Sequence, residues 1–343
     1  MHKKILVTGA NGFIGTNFIH YVLQKYPDLE VFNLDALDFE ISRNNHKHQD
    51  PERYHFVHGS ILDKDLVSDL FKEHKFQEVI NFAAKSHVDN SIKEPEVFVI
   101  HNTLGTQVLL DIALKSEVEK FLHISTDEVY GSLDFDSPST NESSNLLPNN
   151  PYSASKAGAD CLVRSYHKTY QMPCLITRSS NNFGPYQYPE KLIPVVISNA
   201  LHNQPIPVYG DGLNMRDWIF VQENCRAVDM VRNQGEIGEI YNIPGHKEIS
   251  NIHLIKMILK LLNKPDSLIQ FTEDRKGHDL RYSMNGSKLE ALGFKLETSF
   301  EGNLQKTIDW YLAHQEWLSS TSIDDAYMSR RVSNCHGQSR CVD

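Results

Sequence analysis

Short, densely apolar runs alternate along the first half of the chain with longer stretches whose apolar positions recur every three or four residues. The short runs, rich in β-branched and aliphatic residues, predict strands over residues 4–8, 30–35, 54–58, 78–82, 120–125 and 173–178. The helical period falls between them and predicts helices over 13–26, 63–74, 95–115 and 151–170. Strands alternating in this way with helices are the sequence form of a parallel sheet with crossover helices.

After Arg178 the pattern breaks. Pro and Gly at 184, 185, 189, 194, 205, 207, 210 and 212 cut the chain into short pieces, so a second, smaller unit is expected from there. Helical periodicity returns over 252–262 and 304–312, each with an apolar face to bury. Residues 319–343 are polar, Ser-rich and without period, which predicts a disordered tail. The expected organisation is therefore 1–178, rejoined by parts of 217–245, then 179–318, then the tail. There is no internal repeat.

Composition narrows the function classes. A chain of 343 residues with 40% hydrophobic content can bury a full core. Its net charge of −10 argues against a nucleic-acid or membrane-surface partner, since both carry negative charge that a binding face must offset. No apolar run is expected to reach the roughly 18 residues of a membrane span, and the first residues lead directly into a strand. A soluble, cytoplasmic protein is the expectation. Cys161, Cys174, Cys225, Cys335 and Cys341 are widely spaced without a paired motif and read as reduced thiols. Cys335, His336 and Cys341 lack an obvious fourth ligand, so no metal site is expected.

"ILVTGANGFIG" sets Gly9, Gly12 and Gly15 between the first strand and the first helix. Glycines there permit a tight turn and close approach of backbone to a pyrophosphate, while the helix N-terminus offers unpaired amides. Asp35 ends the second strand, about 20 residues beyond the last glycine, where a carboxylate can accept both ribose hydroxyls. That combination predicts a Rossmann-type, doubly wound α/β domain binding NAD, since an aspartate would repel the extra phosphate of NADP. From this spacing the expected cofactor contacts are Gly9, Gly12, Gly15 and Asp35.

"NPYSASKAGAD" places Tyr152 and Lys156 four residues apart, hence on one helix face. An adjacent ammonium favours the phenolate, so Lys156 is expected to lower the pKa of Tyr152 and make it a base. Thr126, at the end of the fifth strand, can bond the same substrate oxygen. "ISTDEVYG" adds Asp127 and Glu128 directly after it. Neighbouring carboxyls in a dry site resist ionising together, which leaves an acid beside a base.

At these residues the chain resembles the extended short-chain dehydrogenase/reductase family, and within it the nucleotide-sugar 4,6-dehydratases. The resemblance runs from Gly9 to about Tyr282 through "NFAAKSHVDNSI", "ISTDEVYG", "NPYSASK", "RSSNNFGPYQYPEKLIP", "VYGDGLNMRDW" and "DRKGHDLRY". It implies oxidation of a sugar at C4 with NAD, Tyr152 taking the O4 proton. Elimination of water across C5 and C6 follows, Glu128 removing the C5 proton and Asp127 protonating the departing hydroxyl. Hydride then returns to C6. The implied substrate is dTDP-glucose, with UDP-glucose an open alternative. A 4-epimerase, which needs no C5 base, and a noncatalytic NAD-binding sensor are more distant ones.

The resemblance further implies a cofactor pocket completed by Phe13, Ile14, Ser60, Ile61, Phe82, Ala83, Ala84, Ser86, Tyr152, Lys156 and Asn181, and a substrate site of Ser86, Thr126, Asn182, Lys191, Leu192, Pro207, Val208, Tyr209, Arg216, Asn251, Arg275 and His278. Arg216 and Arg275 are the expected diphosphate clamps, because a guanidinium fork matches phosphate oxygens. Asn251 could equally be a helix cap. The chain departs from the family pattern at Ser60, where an acid usually faces adenine, and at Lys85 and Asn90, where Glu and Arg are usual. These positions are expected to flank the cofactor and sugar pockets. A homodimer through the helices over 95–115 and 151–170 is also implied.

Overall fold

The computed structural model describes residues 3–37, 45–46 and 49–320, with the side chains of 319 and 320 excepted. The first half builds β1 (Lys3–Thr8), α1 (Phe13–Lys25), β2 (Leu29–Asp35), β3 (Tyr54–His58), α2 (Lys64–His74) and β4 (Glu78–Asn81). It continues with α3 (Val88–Lys93), α4 (Pro95–Phe98), α5 (Gly105–Lys115), β5 (Lys120–Thr126), α6 (Pro151–Tyr170) and β6 (Cys174–Ser179). The six predicted strands pair in parallel in the order β6-β5-β4-β1-β2-β3. This is the doubly wound arrangement that the alternation predicts.

The period of two along each strand separates two cores. Ile5 and Val7 of β1 point to the face covered by Phe18 and Val22 of α1, whereas Leu6 points to the face covered by Val67, Leu109 and Val163. All six residues of β6 are buried, as a strand covered on both faces requires. The order reverses between β1 and β4, so a crevice opens beyond the carboxyl ends of these strands.

The second half supplies β7 (Asn181–Phe183), α7 (Leu192–Leu201), β8 (Ile206–Tyr209), β9 (Met215–Phe220), α8 (Val221–Gln234), β10 (Ile240–Ile243), β11 (Glu248–Ser250) and α9 (Asn251–Leu261). β12 (Ile269–Thr272), α10 (Ser287–Ala291), α11 (Phe300–Ala313) and α12 (Gln315–Ser320) complete it. β10 returns to the first sheet and pairs with β6 as its seventh strand, while α8 packs beside α1. The remaining strands form a β11-β9-β7 sheet and a β12-β8 pair around a separate core containing Phe183, Trp218, Ile255, Leu304 and Tyr311.

Two expectations need correction. The helix predicted over 95–115 is interrupted by a wide π turn at Val99–Leu104. The extra residue in that turn carries buried Asn102 inward, where its Oδ1 accepts from Lys85 N at 2.7 Å. Its Nδ2 donates to Lys85 O at 3.0 Å and to Ser155 Oγ at 2.8 Å. Taken as one segment, Pro95–Lys115 is also long and apolar enough to cross a membrane by length and composition, so the exclusion of any such run fails. In the fold 44% of its apolar window is buried, with Leu109, Leu110 and Ala113 in one core with Phe121 of β5 and Val163 of α6.

The backbone of 319–320 continues α12 instead of starting an irregular tail. The rest of the predicted tail, with Cys335, His336 and Cys341, lies outside the described residues.

Candidate active site

The turn after β1 is built around glycine. Gly9 has φ +67°, and a Cβ there would stand 2.5 Å from Ala83 Cα; a Cβ on Gly15 would stand 2.5 Å from Ala10 Cα. Backbone this close excludes a side chain at either position, and the left-handed φ of Gly9 adds to it. Gly12 begins α1 with no side-chain cap and no acid in the first turn, which turns the helix amides and their partial positive charge toward the crevice. Asp35 accepts from Asn11 N at 2.9 Å and from Leu37 N at 2.8 Å, so its carboxylate is held beside the same turn.

One cavity of about 360 Å³ is lined by every residue expected around the cofactor, from Gly9 to Asn181. Ser60 lines it while its Oγ accepts from Leu62 N at 3.2 Å, in the turn that leads to Asp63, the cap of α2. The sequence reading missed Asn11, Asn45, His101 and Trp317 in this lining. Asn11 could have been found from its place inside the glycine turn. Trp317 could not, since α12 reaches the site only through the tertiary fold.

The chemistry-bearing side chains come from the ends of two elements. β5 ends at Thr126, which caps a single 3-10 turn, Asp127–Tyr130, by accepting from Glu128 N at 3.3 Å. The Thr126 hydroxyl donates to Asp127 Oδ1 at 3.2 Å, and Ser153 Oγ donates to Glu128 Oε2 at 3.1 Å. α6 starts with Asn150, whose side chain accepts from Ser153 N at 2.9 Å, followed by Pro151 at the first helical position. Tyr152 and Lys156 then stand one turn apart, both buried, with Lys156 Nζ donating to Ile124 O at 2.7 Å. Thr126, Asp127, Glu128, Tyr152 and Lys156 all line the larger cavity.

The electrostatics distinguish these groups. Burial, then the charges of Glu128 and Asp217, push the Asp127 carboxyl well above the usual range. Glu128 is also raised by loss of water, and Lys191 and Arg216 oppose the rise. Lys156 is lowered to about 8 by burial, against the pull of Asp160. The Tyr152 hydroxyl is raised, first by burial and then by Glu128; the opposing influence is a hydrogen bond with Thr126. The expectation that Lys156 brings Tyr152 down is therefore corrected. Loss of water and the neighbouring Glu128 carboxylate set the direction of the shift.

A second cavity of about 210 Å³ adjoins the first. Leu192, Pro207, Val208, Tyr209, Arg216, Asn251, Arg275 and His278 line it, and Asn182 and Lys191 line both cavities. Ser86 and Thr126 belong to the larger cavity alone. Glu128 lies at the junction, whereas Asp127 faces only the larger one. Buried oxygens of Asp127, Asn181, Asn182 and Gln187 have no hydrogen-bond partner among the described residues. Orphaned polar atoms converging on a cleft fit a polar ligand, and the glycine turn with its uncapped helix fits a dinucleotide.

Neither expected clamp presents an unengaged fork. Arg216 donates to Met215 O at 2.7 Å and Asp279 O at 2.9 Å, and stacks 4.3 Å from the Tyr282 ring. Arg275 pairs with Asp89, Nη2 donating to Oδ2 at 3.1 Å; Nε is 2.6 Å from Oδ1 but poorly aligned for a hydrogen bond. Guanidinium groups inside a cleft need such partners, because an unbonded buried charge is costly. Ser250, not Asn251, caps α9, so the cap alternative for Asn251 is excluded. Lys85 lines the larger cavity, but Asn90 lines neither and sits exposed on α3, contrary to the expectation that it flanks a pocket.

A glycine turn facing a strand-end aspartate, with Tyr and Lys one helical turn apart in the same cavity, defines a dinucleotide enzyme of the short-chain dehydrogenase/reductase type. The adjoining cleft, which brings Lys191, Arg216 and Arg275 together with Glu128, provides a second polar chamber beside it. The chain belongs to the GDP-mannose 4,6 dehydratase family, whose model matches residues 6–307. It is similar to the low-salt glycan biosynthesis protein Agl12 of Haloferax volcanii, 49% identical over 91% of this chain and 99% of the relative. It is also 43% identical to the dTDP-glucose 4,6-dehydratase of Xanthomonas campestris pv. campestris, over 95% of this chain and 98% of that one. Among solved structures, DesIV, a dTDP-glucose 4,6-dehydratase from Streptomyces venezuelae with NAD and TYD bound, superposes with a TM-score of 0.87 at 44% identity, covering 92% of this chain and 98% of that one.

Proposed function

We propose that the chain is a hydro-lyase that converts dTDP-glucose to dTDP-4-keto-6-deoxyglucose with NAD, and so serves deoxysugar synthesis. The observation that carries this reading is the place of Glu128 at the junction of the two cavities, with Asp127 beside it and Tyr152 in the same chamber. A hexose bridging the chambers would meet the tyrosine at its middle and the two acids at its far end.

Each step asks one thing of the protein. Tyr152 takes the O4 proton, and the resulting 4-keto group acidifies the C5 hydrogen. Glu128, whose carboxyl is tempered by Lys191 and Arg216, removes that proton. Asp127, held protonated by burial and by its neighbour's charge, protonates the departing C6 hydroxyl. NAD, when bound, would supply the hydride acceptor for C4 and the hydride donor for C6, and Glu128, which holds the proton taken from C5, would return it to C5 as the hydride arrives. Gly9, Gly12 and Asp35 would hold its pyrophosphate and ribose, and Arg216, Arg275 and His278 the nucleotide diphosphate. The adjacent acids distinguish this site from that of a 4-epimerase, which has no C5 proton to move.

The protein is also proposed to act as a soluble, cytoplasmic homodimer. Val99 and Leu104 stand about half exposed on the Val99–Leu104 turn and Tyr170 at the end of α6, an apolar surface suited to a partner helix pair. Supplying dTDP-glucose and UDP-glucose separately, without added reductant, tests the substrate reading. A 4-keto-6-deoxy product from the dTDP sugar at the higher kcat/KM is expected. Product from UDP-glucose alone, or from neither sugar, would overturn it.

A further inference from the structure

A polar cluster that lines neither cavity lies against Lys156. His123 on β5 is fully buried, with Nε2 3.3 Å from Lys156 Nζ and 3.6 Å from Asp160 Oδ1, just beyond hydrogen-bond reach. Asp160, one turn along α6 from Lys156, binds Arg178 Nε through Oδ2 at 2.8 Å, while its Oδ1 has no hydrogen-bond partner. Arg178 in turn donates to Tyr130 Oη at 2.8 Å. The side chains of His123 and Asp160 are at most 1% exposed.

The tautomer of His123 follows from its other side. Thr106 Oγ1 spends its proton on Asn102 O at 2.6 Å, so it must accept from Asn81 at 3.2 Å, which identifies the facing atom as Nδ2. Thr8 Oγ1 donates to Asn81 Oδ1 at 2.7 Å and agrees with that orientation. The same Nδ2 faces His123 Nδ1 at 3.2 Å, so Nδ1 is the acceptor and the ring proton is on Nε2. Burial and the nearby cations Lys156 and Arg178 keep this imidazole neutral. A single N–H thus faces an amine and an orphaned carboxylate oxygen.

We propose that His123 is a positioning residue for Lys156, whose Nε2–H alternates between the nitrogen of the neutral amine and Oδ1 of Asp160. When Lys156 is neutral, its lone pair accepts the N–H. When Lys156 is an ammonium, the N–H turns to Asp160, and Nζ keeps its bond to Ile124 O. The lysine can then change charge in a dry site with less polar mismatch in either state. The proton concerned is the one Lys156 exchanges beside Tyr152 in the cavity that this pair lines: Lys–NH3⁺ becomes Lys–NH2, and the imidazole gives up none. This role rests on the catalytic reading of that pair.

Among the described residues, His123 from β5 and Asp160 from α6 face Lys156, Tyr152 stands one turn before it on α6, and Arg178 from β6 with Tyr130 from the turn after β5 lie behind Asp160. Removing the Nε2–H takes a donor from the neutral amine and leaves Asp160 more attractive to the ammonium. Both effects make the pair hold its proton to higher pH. In single-turnover C4 oxidation, His123→Phe should move the pH midpoint up by about one unit, and His123→Gln, which retains an N–H, should return it toward wild type. An unmoved midpoint in folded, NAD-loaded His123→Phe protein overturns the proposal. Nitrogen-15 NMR of histidine-labelled wild-type holoenzyme decides it independently of turnover. A neutral ring protonated at Nε2 from about pH 6 to about pH 9 is expected, its signal lost in His123→Gln; an Nδ1–H tautomer or a titrating ring overturns it. Failure of wild type to act on dTDP-glucose would instead count against the catalytic reading.

Discussion

Asp127 and Glu128 are adjacent in the chain yet differ in what they face: Asp127 borders only the larger cavity, and Glu128 borders both. The 3-10 turn produces this divergence. Consecutive residues on so tight a turn point about a third of a revolution apart, so one carboxyl is driven into the protein while the other reaches the junction.

Glu128→Gln should separate oxidation from dehydration. The variant is expected to develop the near-ultraviolet absorbance of reduced cofactor on mixing with dTDP-glucose, while dehydration falls by about 10²–10⁴-fold. Loss of deuterium exchange at C5 would mark the missing base. Normal dehydration would refute the assignment of Glu128.

Asp127 should make the protein less stable as pH rises. Its folded value is raised well above the ordinary 3.8, so between those two values the folded chain binds a proton that the unfolded chain has released. Stability from this group is fully present below the unfolded value and is lost as pH rises toward the folded one. Asp127→Asn escapes that loss. At pH 7 its Tm should exceed that of wild type by about 2 °C for each kcal/mol recovered, with the gap closing toward pH 4, while dehydration is impaired. A calorimetric series showing no such closing gap would count against a buried, protonated Asp127.

Arg275→Ala should act on substrate binding and leave the chemistry largely alone. Its guanidinium lines the smaller cavity and is tethered by Asp89, whereas Asp127 and Tyr152 line only the larger one. An increase in KM of about tenfold with kcat held within about twofold is expected from losing one charged phosphate contact. A collapse of kcat with unchanged KM would assign Arg275 a different role.

Ser60→Asp should strengthen cofactor retention. Aspartate can accept the bond from Leu62 N that Ser60 now accepts, and it adds a carboxylate to the cavity for an adenine amino group. Bound NAD after extended dialysis should be a few-fold higher than in wild type, consistent with about 1 kcal/mol from one charge-assisted hydrogen bond. Equal or lower retention would place adenine elsewhere.

Much of the site is legible locally, because its chemistry sits in short segments at element ends. Gly9 to Gly15, Thr126 to Glu128, and Tyr152 with Lys156 each occupy one turn, and their roles follow from residue type and spacing. The state of those groups is not legible in the same way. That Lys156 fails to bring Tyr152 down depends on burial and on Glu128, neither of which a four-residue spacing encodes. The engagement of Arg275 by Asp89 joins α3 to the loop after β12, and Asn102 anchors the Lys85 loop from within an irregular turn.

The amino-acid pattern alone determined the six leading strands and the helices between them, the glycine turn, and the list of side chains able to do the chemistry. Each depends on periodicity or on neighbours a few residues apart, which any chain segment carries with it. The tertiary structure decided that β10 joins the first sheet, that Trp317 reaches the cofactor cavity, and that two chambers meet at Glu128. These depend on which distant surfaces are buried against each other, and the free energy of that choice belongs to the whole packed core, not to any one segment.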